Sequence, residues 1–375
     1  MRRLQRHLCL AVYSLCVTEA GTHIDVAELK LRDYLPRSAL RIAEHQIERA
    51  AHRAVDAHNH LGRWLSDDGD WVAPDVPRLL ADMDAANLGA IVNLDGRWGD
   101  ELEANLERYD RRHPGRFVTF CHLDWAETAA PGFGERLARS LRRSLAAGAR
   151  GLKVWKDLGL SLTDERGELL LPDDERLAPV WQVAAEEGAP VLIHTADPRA
   201  FFAPVDATNE RLEELLVNPD WSFAHLGDGH YQRLLEALEA LVAANPATTF
   251  IAAHVAGAAE DLDRVERLLS TYPNLSVDIA ARVAELGRQP RRARDLILRH
   301  AGRILFGTDI FPPSLGEYAI HFRFLETADE HFAYSLDEPP PQGRWRISGL
   351  GLPDDVLDLV YGGNARRLVP GLGLE

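Results

Sequence analysis

From residue 54 onward the chain repeats one unit eight times, a short apolar β-prone run followed by an amphipathic stretch of helical period. The runs cover residues 54–58, 90–94, 117–122, 151–155, 190–194, 249–254, 275–279 and 304–307, each bounded by Gly, Pro or Asn. Short apolar runs without polar alternation suit strands buried on both faces of a parallel sheet. The helical patterns between and after them fall at 75–87, 100–112, 134–147, 174–187, 231–244, 260–272, 290–300 and 353–368. Strand starts lie 26 to 39 residues apart, with one interval of 59. That spacing predicts an α/β fold of the (β/α)8 TIM-barrel type. A doubly wound sheet is the second choice, because no dinucleotide-type glycine fingerprint is present.

The irregularities in the period are as informative as the period. The long interval requires an insertion after strand five, at 195–230, and a second lies after strand eight, at 311–350, carrying Pro339-Pro340-Pro341. Both fall at the carboxyl ends of strands, the face on which barrel enzymes build active sites. Residues 21–53 read as an amino-terminal arm and 54–370 as the barrel.

Charge and composition exclude some functions. With 42 basic against 58 acidic side chains the 375-residue chain carries −16, the opposite of a nucleic-acid binder's balance. No run of about 18 apolar residues is present, so no membrane span is expected. The expected partner is therefore a small-molecule substrate, with homo-oligomerisation left open.

The amino terminus carries an address-like pattern. Arg2, Arg3 and Arg6 precede an apolar run from Leu8 to Val17, and Thr18-Glu19-Ala20 follows. A basic start, an apolar stretch and a small residue describe a secretory signal peptide over 1–20. The expectation is export to the periplasm or medium, the alternative being a misassigned start and a cytoplasmic protein. Cleavage would remove Cys9 and Cys16 and leave Cys121 as the single thiol, a residue compatible with any redox compartment.

The chemistry-bearing residues cluster at strand ends. In Val55-Asp56-Ala57-His58-Asn59-His60 the two histidines are two apart, so an extended strand projects both from one face. His194, His254 and Asp309 end or follow the fifth, sixth and eighth runs. Several polar groups buried at one level without a shared partner would be costly. A divalent metal bound by imidazole and carboxylate removes that cost.

This arrangement resembles the amidohydrolase superfamily, with His-x-His after strand one, histidines after strands five and six, and Asp after strand eight. The closing Gly351-Leu352-Pro353 through Tyr361-Gly362-Gly363-Asn364-Ala365-Arg366-Arg367-Leu368 is similar to the carboxyl end of its amidohydrolase 2 branch. The resemblance implies a metal-dependent hydrolase acting on an ester, lactone or amide, or alternatively a non-oxidative decarboxylase of an unsaturated or aromatic acid. It also implies a metal set of His58, His60, His194 and Asp309, with His254 a ligand or proton shuttle and Asp309 the general base. One divalent ion is expected, zinc first, with manganese or iron as alternatives. A catalytically silent barrel with a binding role is the remaining reading.

Lysine usage adds a further pointer. Only Lys30, Lys153 and Lys156 are lysines, against 39 arginines, and two of them stand in Lys153-Val-Trp-Lys156 at the end of strand four. Lysine is a compact charge whose pKa falls readily on burial, a property Arg lacks. Gly151-Leu-Lys153 matches a run of the amidohydrolase 2 branch, so Lys153 is expected at the site and Lys156 in solvent. Trp155 shares a side of the strand with Lys153 and is expected as an aromatic wall. Arg282, after strand seven, could fork a substrate carboxylate; with Asp278 it could equally be a surface or capping pair. His122, Asp124 and Trp125 are weaker pocket candidates, and His225 and His230 are expected to be solvated.

Overall fold

The computed structural model describes residues 25–66, 68–128 and 130–373. The signal-like segment 1–20 lies outside them. The chain divides into two units at Arg41 and Ile42. Of the first, the described residues make a turn and a short helical turn, Leu31–Asp33, with exposed side chains. No helix among the described residues is long and apolar enough to cross a membrane.

The second unit holds eight parallel strands: β1 (Ala54–Asn59), β2 (Leu88–Asn93), β3 (Phe117–Thr119), β4 (Leu152–Val154), β5 (Val191–Ile193), β6 (Phe250–Ala252), β7 (Leu275–Asp278) and β8 (Ile304–Leu305). They pair in chain order as β1-β2-β3 and β4-β5-β6-β7-β8. A parallel bridge between Cys121 and Leu152 joins the two sets. The Ala57 N–H donates to the Phe306 carbonyl and the Asp309 N–H to the His58 carbonyl, which closes β8 onto β1. The protein is an α/β TIM barrel, as the strand period predicts.

Two buried apolar clusters follow from the period-two alternation of strands. Val55, Ala57, Val92, Val118, Leu192, Ile251 and Leu305 pack together in one. Their neighbours Ala54, Ile91, Leu152, Val154, Val191, Ile193 and Ile304 join the other, with the helices. On β4, Leu152 and Val154 thus belong with the helices, which turns Lys153 the other way. The helices that cover the strands agree closely with the amphipathic stretches, among them Val76–Ala85, Phe133–Ala147, Leu262–Thr271 and Pro290–Arg299. The insertion after β5 contains the short helix Leu212–Val217, and that after β8 contains Leu315–Glu326.

Candidate metal centre and cavity

The first strand does not run regularly into the site. Its pairing with β2 slips between Asp56 and Asn59, an irregularity of the kind that re-aims side chains. His58 and His60 then stand with ring centroids 5.6 Å apart. After β6, His254, Val255 and Ala256 adopt left-handed backbone, with φ of 57°, 58° and 58°. Each such residue costs on the order of 1–3 kcal/mol and persists only where its surroundings hold it. Gly257 completes the turn at φ +66°, where a Cβ would meet the Thr195 carbonyl oxygen at 2.3 Å. Asp309 is left-handed as well, at φ 59°.

Three imidazoles share one arrangement. His58 Nδ1 is 2.8 Å from Asp278 Oδ2, His60 Nδ1 is 3.0 Å from Asp95 Oδ1, and His254 Nδ1 is 2.9 Å from the Ala280 carbonyl. The opposite nitrogens face Asp309: His60 Nε2 at 3.2 Å, His58 Nε2 at 3.8 Å and His254 Nε2 at 3.9 Å. For His58 and His254, an acceptor on Nδ1 leaves the Nε2 lone pair for a cation, the usual setting of a metal-bound histidine. His58, His254 and Asp309 place their donor atoms within 4.8 Å of one another. His254 Nε2 is buried with no hydrogen-bond partner among the described residues. These donors fit a divalent cation.

His194 is oriented differently. Its ring packs 4.3 Å from that of His254, but its Nε2 lies 3.4 Å from Asp197 Oδ1. Asp197 also receives Lys156 Nζ at 2.6 Å. Lys156, expected in solvent, is therefore held by a buried carboxylate; the run of residues 190–194 gave no sign of Asp197 in the loop beyond. Lys153 is buried, with Nζ 3.2 Å from His58 Nε2 and 5.0 Å from the centre of the Trp155 ring, the aromatic wall expected beside it.

Burial and charge set the protonation of this group. Burial alone would raise Asp309, but His58, His60 and Lys153 hold it well below the ordinary carboxylate range. Burial lowers Lys153 to about 8, against the opposing pull of Asp309, Asp278 and Asp95. Burial also opposes protonation of His60, yet Asp95 and Asp309 outweigh it and raise the ring to about 9. Burial leaves His194 near 4 and, with His194 and Arg282 nearby, drives His254 well below its usual value.

Above these residues opens a cavity of about 720 Å³. Lys153, Trp155, Arg282 and Asp309 line it, as expected, together with His58, His60, His194 and His254. Asp278 is neither a surface residue nor a cap: it is fully buried and accepts from His58 and from the His254 and Ala280 N–H groups. His122, Asp124 and Trp125 are not among the lining residues. Asp124 instead accepts from the Ala126 N–H, and His122 contacts the Leu94 carbonyl and the Trp155 indole N–H. His225 is also outside the cavity wall, and His230 is bound through Nε2 to the Gly159 carbonyl at 2.7 Å. The main omissions of sequence reasoning are Asp95 and Asp197, each just beyond a strand end where an acid can serve a histidine.

A barrel whose mouth brings histidines from its first and sixth strands onto an aspartate from its eighth, with a histidine of the fifth packed beside them, defines a class. The amidohydrolase family model matches residues 55–371, and the chain belongs to the amidohydrolase 2 family. No curated protein sequence matches. Among solved structures, the chain is similar to 2,6-dihydroxybenzoate decarboxylase from Rhizobium, with 18% identity over 84% of this chain and 98% of that one and a TM-score of 0.52. It is also similar to a dihydroxybenzoic acid decarboxylase from Polaromonas sp. JS666 solved with manganese and 2-nitroresorcinol, with 17% identity over 84% and 96% and a TM-score of 0.54. At these identities the likeness is one of fold.

Proposed function

We propose that this chain is a metal-dependent hydrolase that acts on a small organic ester, lactone or amide. The observation that carries the reading is Asp309, which stands at the barrel mouth with His60 Nε2 at 3.2 Å and the Nε2 atoms of His58 and His254 at 3.8 and 3.9 Å. A carboxylate at that position can take a proton from water. His58, His254 and Asp309 would hold one divalent ion, zinc first, with manganese or iron as alternatives. When bound, such an ion polarises a substrate oxygen and lowers the pKa of water.

The chain's own groups then have separable tasks. Asp309 takes the proton from the attacking water and passes it to the leaving group. Asp278, Asp95 and the Ala280 carbonyl keep the three rings in place. Lys153 and Arg282 offer positive charge to an anionic substrate, and Trp155 gives its ring a flat wall.

A second reading rests on those same cations. A carboxylate lodged between Lys153 and Arg282 suits a non-oxidative decarboxylase, and both structural relatives are named decarboxylases. Metal-loaded protein assayed side by side against lactones and 2,6-dihydroxybenzoate, with carbon dioxide release followed, separates the two. Turnover of a lactone without carbon dioxide supports hydrolysis; carbon dioxide release with inert lactones overturns it.

A further inference from the structure

Away from the histidines, the cavity wall contains a charged cluster that the proposed chemistry does not use. Arg211 is 1% exposed and Glu285 2%, and the Glu214 side chain is 9% exposed. Arg211 Nη1 lies 3.2 Å from Glu214 Oε2, and Nη2 lies 3.2 Å from Glu285 Oε1. Neither approach is aligned as a hydrogen bond. Arg211 Nε and Nη1, Glu214 Oε2 and both Glu285 carboxylate oxygens have no hydrogen-bond partner among the described residues. Buried charges left unsatisfied cost a full desolvation penalty, so such groups call for a purpose.

Position supplies one. Arg211 and Glu214 face the same cavity as Asp309, Lys153 and Arg282. Arg211 comes from the insertion after β5, outside the repeating barrel, and is braced by the rings of Phe201 and Trp345, with its guanidinium 5.6 Å and 6.0 Å from their centres. We propose that Arg211 and Glu214 form a second recognition subsite, which takes an uncharged substrate group bearing both a donor and an acceptor, such as a carboxamide. The guanidinium donates to the acceptor and the carboxylate accepts the N–H or O–H. A neutral group is selected because the Arg211 charge is already met by the Glu214 and Glu285 carboxylates, each 3.2 Å away. An additional carboxylate would meet Glu214 at close range. The inference rests on this cavity being the reacting site but not on which reaction occurs there.

The test is a binding series on metal-loaded protein by isothermal titration calorimetry. The parent probe is 2-hydroxybenzoate, whose carboxylate and hydroxyl can chelate a divalent ion under either reaction. Its derivatives carry at position 5 a carboxamide attached directly or through one or two methylenes, or the matching carboxylates. In the wild type, one carboxamide binds at least about tenfold tighter than the parent and tighter than its matching carboxylate, the gain expected of hydrogen bonds to charged groups. In Glu214→Gln that gain shrinks to less than about threefold, and the carboxylate improves about tenfold relative to the carboxamide. Equal affinities across the series in the wild type, or an unchanged order in Glu214→Gln, would show a cluster with a structural role only. The wild-type ranking decides the matter alone if Glu214→Gln does not fold. Failure of the parent itself to bind would overturn the reading of the cavity, and this inference with it.

Discussion

The two ends of the barrel use polar side chains for opposite purposes. At the amino-terminal end of the strands they satisfy backbone. Arg303 donates to the carbonyls of Leu269, Tyr272 and Pro273, Asn364 to those of Ala301 and Ile304, and Arg366 to that of Arg53. At the carboxyl-terminal end His194 Nε2, His254 Nε2 and Asp95 Oδ2 stand together, buried without hydrogen-bond partners among the described residues, where the base shows Asn364 Oδ1. Left-handed backbone gathers there too, at Arg97, Ala196, His254, Val255, Ala256, Ala281 and Asp309. One end lowers the energy of the fold. The other spends part of that stability on an arrangement that only a ligand completes.

Substitutions at the mouth should therefore change chemistry, and those at the base stability. The largest effect is expected at Asp309→Asn, which keeps an oxygen donor but cannot take a proton. Turnover should fall by about 10²–10⁴-fold, with metal content reduced only modestly, as kinetics and elemental analysis on one preparation would show. An unchanged rate would remove the asymmetry between the two ends.

Lys153→Arg comes next. The ammonium sits 3.2 Å from His58 Nε2, a spacing that a wider planar fork would disturb, and a misplacement of about 1 Å can cost roughly 10²-fold in rate. Lys156→Arg retains its pair with Asp197 and should lose only a few fold. Comparing kcat for the two variants with matched circular dichroism spectra tests the difference; equal tolerance would mean that lysine has no special task here.

At the base, Asn364→Ala strands one buried and one part-buried carbonyl and should destabilise by about 2 kcal/mol. Turnover per folded molecule should not change. Urea denaturation alongside kcat measures both, and a lost rate with intact stability would break the comparison from the other side. The smallest effect is expected at Ala281→Gly, where relief of a left-handed Ala at φ 53° should stabilise by up to about 1 kcal/mol. The midpoint of thermal unfolding should rise by about 1 °C.

The barrel was legible because its strands obey a simple rule. Buried parallel strands need uninterrupted apolar runs, and all eight runs overlap the strands observed. His58, His60, His254 and Asp309 were legible as strand-end residues that a barrel must bring together. Their supports were not. Asp278 reads as a cap or surface acid because nothing local marks it as the partner of a histidine 220 residues away. The orientation of His194 toward Asp197 depends on a loop conformation, as does the cavity position of Arg211. The left-handed turn at His254–Ala256 runs against local preference, since Val and Ala there avoid positive φ, so no propensity could announce it.

We propose that one divalent ion sits on His58, His254 and Asp309. Metal content after chelation, reconstitution with zinc or manganese and desalting tests it most directly, in the wild type, His254→Asn and His194→Asn. About one ion per chain is expected in the wild type, nearly none in His254→Asn and substantial retention in His194→Asn. A wild type without stoichiometric metal, or full retention in His254→Asn with loss in His194→Asn, would contradict it.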